Sequence, residues 1–124
     1  MNLKDYFERT TGMGFLSTAN SSGEVDIAVY SRPKVMEDGT LAYGMADRLT
    51  HANLQENPHA VYAFHEGGFQ GARLFLEKVR EETKGPLLDK IRQEADKVVG
   101  PGIGNLVRFV VYFRVTKQLP LVGG

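Results

Sequence analysis

Cysteine and tryptophan are both absent from the 124 residues. Without cysteine there is no disulfide, no thiol nucleophile and no zinc site built on thiolates. Histidine is scarce. His51, His59 and His65 match no HExxH-type ligand spacing. They are expected to be structural or solvated side chains, and no metal is expected. Net charge is absent as well, because 15 Lys+Arg balance 15 Asp+Glu. A domain that binds polyanions carries a surplus of positive charge, so nucleic acid is not an expected partner. No run of about 18 apolar residues occurs, and no apolar stretch opens the chain, so the expectation is a cytoplasmic protein without a membrane partner. There is no GxSxG elbow, and the serines at 17, 21, 22 and 31 form no hydrolase pattern. The carboxylates Glu81, Glu82, Glu94 and Asp96 are expected to be solvated charges, and no general acid or base is assigned.

What remains is a chain of ordinary domain length with 42% apolar residues, enough for one core and one domain over 1–124. Its neutrality conceals an uneven distribution. Residues 1–66 carry five positive and nine negative side chains, and residues 67–124 carry ten and six.

The spacing predicts a short helix over 2–11, capped by Asn2, with Leu3, Tyr6 and Phe7 on one face. A strand over 14–19 and a turn at 20–23 follow. Residues 25–36 alternate with period two, which predicts one long strand; Pro33, unable to donate to a ladder, should lie at an edge or bulge. After a turn at 37–39, a third strand is expected over 40–46 and a helix over 47–57, ending at Pro58. Strands over 60–66 and 72–80 flank a glycine-rich hairpin, and Pro86 opens a helix over 86–98. The glycines from 100 to 104 join a helix to a strand, the reverse of a phosphate loop's order, and are expected to be a connector. A last strand runs over 106–117. Six strands joined mostly by hairpins, with three short helices, imply a mainly β fold: a six-stranded antiparallel barrel.

One constellation carries chemistry. Arg32 and Lys34 share a face of the 25–36 strand, and Arg48 opens the 47–57 helix, with Thr50 and Asn53 beside it. Positive charge, a hydroxyl, backbone N–H groups and the positive end of a helix dipole together suit a phosphate. The alternative is a surface ion-pair network capping an ordinary helix. Just ahead, Tyr43-Gly44-Met45-Ala46 offers a flat strand end for a planar ring, and Tyr30 an aromatic neighbour.

The order of strand, basic strand, hairpin, strand and a helix ending Leu54-Gln55-Glu56-Asn57-Pro58 resembles the pyridoxamine 5′-phosphate oxidase-like FMN-binding split barrels, a Greek-key type of barrel. Thr50-His51-Ala52-Asn53 is similar to a T-x-A-N found in the small homodimeric FMN-binding proteins of that group. The likeness covers about residues 12–82 and the final strand, with the helix at 86–98 looking like an insertion. It implies FMN at a homodimer interface, with the phosphate at Arg48, Leu49 and Thr50 and with Asn53 one turn on. The ring edge would meet Val29, Tyr30 and Ser31. Gly44, Met45 and Ala46 would line the ring or ribityl chain, and Arg32 and Lys34 are candidates for the phosphate. Relatives often carry a basic residue where this chain has Leu49, so either Arg48 supplies the charge or the phosphate is held less strongly. Arg114 is the last arginine and no histidine follows His65, so the substrate-binding pair of a true pyridoxamine phosphate oxidase has no match, and that oxidation is not expected. The resemblance implies a flavin-dependent oxidoreductase or electron-transfer protein. Haem or deazaflavin on the same barrel, or a ligand-free interaction domain, are the alternatives.

Overall fold

The computed structural model describes residues 2–124. Helix α1 (Leu3–Arg9) starts where the Asn2 side-chain oxygen accepts the Asp5 N–H at 3.1 Å, and it buries Tyr6 and Phe7. Strands β1 (Met13–Ala19), β2 (Val25–Val29), β3 (Lys34–Val35) and β4 (Leu41–Ala46) follow, then helix α2 (Leu49–Glu56). Strands β5 (His59–Gly67) and β6 (Gln70–Glu82) form a hairpin whose two-residue loop starts at Gly68, φ 55°, in the left-handed region that favours glycine. Helix α3 (Pro86–Val98) has Pro in its first turn, and a short 3-10 turn leads into β7 (Val107–Pro120). No described helix is long and apolar enough to cross a membrane.

All strands join one antiparallel sheet in the order β2-β1-β5-β6-β7-β4-β3. The sheet has seven strands instead of six, because the stretch 25–36 is two strands and not one. Val25 to Val29 pair with β1, whereas Lys34 and Val35 pair with β4 at the other edge. Pro33, which has no N–H for a ladder, lies in the break. Both flanks are pleated, so the sequence alternation runs through the break without showing it.

This break dictates the shape. The two edges of a flat seven-stranded sheet would stand ~29 Å apart. Only residues 30–33 separate β2 from β3, and an extended link of that length spans at most ~18 Å. The sheet must therefore curl until its edges approach, giving an open barrel with the 30–33 link across the gap. Leu16, Tyr62, Phe64, Leu74, Leu76, Val111 and Phe113 fill its interior with α1 aromatics. Ala42, Val110 and Tyr112 face outward from β4 and β7 and are covered by Leu88 of α3. Leu88 is the only buried residue of α3. Burying one such side chain contributes roughly 1.5–3 kcal/mol, so α3 is held less firmly than the strands beneath it.

The outer face of β2, β1, β5 and β6 has no such helical cover among the described residues. Val25, Ile27 and Val29 are 80%, 65% and 64% exposed. They stand opposite Ala19, Ser17 and Phe15, and beyond these lie Val61, Ala63 and Phe75, on the same face by register.

Candidate functional site

Two neighbouring features hold the residues singled out in the sequence: the first turn of α2, and a cleft of about 800 Å³ between α1, the 30–33 link, β4 and α3. They share the link, but their polar groups differ.

Arg48 occupies the N-cap position of α2 with extended backbone (φ −134°, ψ −164°) and provides no side-chain cap. The first turn carries no acidic residue. Its leading backbone N–H groups have no partner within the helix, as at any helix start, and the exposed Arg48 side chain leaves from the cap residue itself. Leu49 is exposed too. Thr50 and Asn53 turn inward instead. The Asn53 amide donates to the Thr18 hydroxyl at 3.0 Å, and the Thr50 hydroxyl makes a long contact, 3.5 Å, with the Asp26 carboxylate. Both side chains are buried and join α2 to β1 and β2.

Tyr30 is half-buried at the start of the link, with its ring edge-on to Tyr43 at 6.1 Å. Its carbonyl accepts the Tyr62 hydroxyl at 3.0 Å, and its N–H donates to Gly14. Burial raises the Tyr30 phenol above its ordinary value; the Thr50 hydroxyl opposes this and Asp26 adds to it. The sequence pair Tyr30 and Thr50 is thus brought together. Val29 points outward on the exposed sheet face, and Ser31 is exposed at the rim of the cleft.

Arg32 and Lys34 do not join Arg48 in one cluster. The Arg32 Nη1 donates to the carbonyls of Phe7, at 2.8 Å, and Thr10, closing the C-terminal end of α1. Lys34 pairs with Glu94 of α3 at 2.8 Å. Both line the cleft, and Arg48 does not. The three residues at the end of β4 also divide between two faces. Met45 is buried in the barrel interior. Gly44 faces α3 so closely that a Cβ there would lie 2.5 Å from Ile91 Cγ2, and Ala46 shares the Gly44 face by alternation. Tyr43 lies inside, its hydroxyl buried with no hydrogen-bond partner among the described residues; burial, with Tyr62 adding, pushes that phenol well above its ordinary value.

Sequence reasoning missed a polar network beneath α2. His51, expected on a helix surface, is buried: its ring stacks on Phe109 and its Nε2 lies 2.9 Å from Glu81 Oε2. Gln55 and Lys78 donate to the other Glu81 oxygen. Burial raises the Glu81 carboxyl, but the hydrogen bonds from Lys78, His51 and Gln55 outweigh it and bring the group down to about 2. His51 and Gln55 are one helical turn apart, a signal the sequence does carry; Glu81, some thirty residues on, has none. Nor did the sequence indicate that α3 would supply one wall of the cleft.

No protein-family model matches the chain, and no curated protein matches it. Solved structures do. An FMN-binding protein from Syntrophomonas wolfei subsp. wolfei superposes with a TM-score of 0.79 at 23% identity, over 98% of this chain and 85% of that one. HupZ of Group A Streptococcus gives 0.74 at 19% identity, covering 98% and 93%. An F420 reductase gives 0.70 at 13%, covering 94% and 95%. The chain has the split-barrel fold of these proteins, as the resemblance in its sequence implied.

Proposed function

We propose that this split barrel binds FMN without covalent attachment, as a homodimer, and acts as a flavin-dependent oxidoreductase or electron-transfer protein. The observation that carries the reading is the open first turn of α2. It offers backbone N–H groups and the exposed Arg48 side chain, which pairs with no carboxylate among the described residues. It has no acidic residue within the turn, Asp47 lying just outside it, and is anchored from below by Thr50, Asn53 and His51. That donor set fits a phosphate. Likeness in fold to a protein described as FMN-binding supports the same choice.

Arg48 and Leu49, with the N–H groups of the first turn, would hold the phosphate end. Thr50 and Asn53 act one layer deeper: they fix α2 on β1 and β2, so that its N-terminus stays in place against the link. Tyr30, Ser31 and the backbone of Val29 would meet the ring edge, with Gly44 and Ala46 on the outer face of β4 beside α3, whereas Met45 supports that strand from the interior. FMN, when bound, supplies hydride and single-electron transfer; the protein's part is to bind, orient and exclude water. The uncovered face of β2, β1, β5 and β6 supports the dimer, since an apolar sheet face of this kind marks an interface.

The visible spectrum of the purified protein, followed by titration of the colourless fraction with FMN, tests the reading. A flavin band and saturable uptake of one FMN per chain support it; a chain that takes up no FMN refutes it. Deazaflavin is the second reading, favoured by the likeness to the F420 reductase, and a parallel F420 titration separates the two.

A further inference from the structure

We propose that the cleft between α1, the 30–33 link, β4 and α3 is a binding site for a small apolar organic anion, separate from the phosphate end of the α2 site. Its floor and sides are apolar, built from Val35, Ala42, Gly44, Ile91 and Val107. Gly44 lets Ile91 reach the strand, so the floor is continuous from β4 to α3.

Charge sets the class of ligand. Four cations, Lys4, Arg32, Lys34 and Lys90, line the cleft with two carboxylates, Glu8 and Glu94. Lys4 pairs with Glu8 and Lys34 with Glu94, each at 2.8 Å. Arg32 and Lys90 are left over. Arg32 is held by carbonyl oxygens, which are neutral, so its charge is not cancelled. Lys90 is exposed at the rim and pairs with no carboxylate among the described residues. In a chain of zero net charge this one cleft carries two surplus positive charges, on opposite walls.

A neutral apolar molecule would leave both cations unanswered, and inorganic phosphate would leave the floor wet. A compact apolar body bearing one or two acidic groups satisfies both, and the volume of about 800 Å³ lies in the range typical of small-molecule sites. Regarding this anion as the substrate rests on the flavin reading; its binding does not.

The probe is 8-anilinonaphthalene-1-sulfonate, an apolar ring system with one negative charge, compared with neutral N-phenyl-1-naphthylamine. The wild-type chain is expected to bind one sulfonate probe, with a rise in fluorescence. Lys90→Gln, at an exposed position that leaves the fold intact, should weaken that probe by about threefold or more and leave the neutral one unchanged. Ala95→Glu, which adds a carboxylate to the lining, should weaken the sulfonate by a larger factor. Equal affinity of wild type and both variants for the sulfonate, or equal loss of both probes in Lys90→Gln, overturns the proposal. FMN titration of the same samples is the second readout. FMN affinity unchanged in Lys90→Gln supports an anion site separate from the phosphate end, whereas a loss of FMN affinity equal to that of the sulfonate contradicts it. A chain that binds the sulfonate as described but no FMN refutes the flavin reading alone.

Discussion

The His51 imidazole lies flat on the Phe109 ring, with centroids 3.7 Å apart and planes within 4°. This stack joins α2 to β7, and the His51–Glu81 bond joins the same helix to β6. The helix proposed to hold a phosphate is thereby fixed to two strands of the barrel by a single side chain.

Glu81 makes this attachment sensitive to acid. Its carboxyl, ordinarily near 4.5, is brought to about 2 in the folded chain, so its contribution is complete above pH 4.5 and is lost as the pH falls toward 2. Glu81→Gln should therefore be less stable than wild type in urea unfolding at neutral pH, and that gap should close across this acid range. A gap that does not change with pH contradicts the role given to Glu81.

Arg32→Ala removes the donor that closes the carbonyl end of α1. Two hydrogen bonds from a charged group are lost, which should cost about 1.5–3 kcal/mol. The effect should be local: hydrogen exchange should accelerate first at the amides of α1, around Tyr6 and Phe7. Uniform acceleration across the sheet would mean that Arg32 supports something other than the helix end.

Gly44→Ala places a methyl 2.5 Å from Ile91 Cγ2. Either α3 moves away or the strand bends, and overpacking of this kind costs about 1–3 kcal/mol. Combining it with Ile91→Ala should recover part of the loss, and a double-mutant cycle of stabilities measures that coupling. Additive losses would show that α3 does not rest on Gly44.

The uncovered sheet face gives a prediction about assembly. Ile27→Lys places a charge in the middle of the Val25–Ile27–Val29 row without touching the interior, because Ile27 is 65% exposed. Sedimentation should report a dimer for wild type and a monomer for this variant, both folded. A variant that stays dimeric moves the interface elsewhere.

These sites differ in how far the sequence exposes them. The Asn2 cap, the proline opening α3 and the glycine hairpin between β5 and β6 are local signals, and the elements form where those residues stand. Alternation over 25–36 is also real, but it describes pleating and not partners, so it could not reveal that the chain leaves one sheet edge at Tyr30 and rejoins the other at Lys34. The same limit applies to the site. Arg48, Thr50 and Asn53 were legible as one helix start, yet only tertiary packing decides that Thr50 and Asn53 turn inward and that Arg32 and Lys34 are engaged by α1 and α3. Glu81 and Lys90 carry no local pattern at all, because their partners and neighbours come from distant parts of the chain.

Comparing FMN with riboflavin, which lacks the phosphate, tests the proposed site most directly. Dissociation constants for both flavins are measured with wild type and with Arg48→Ala. If the first turn of α2 holds the phosphate, wild type binds FMN more tightly than riboflavin. Arg48→Ala should then weaken FMN by about tenfold, the loss of one charge-assisted contact, and leave riboflavin unchanged. Equal affinity of wild type for the two flavins, or equal weakening of both by the substitution, would contradict a phosphate held at Arg48.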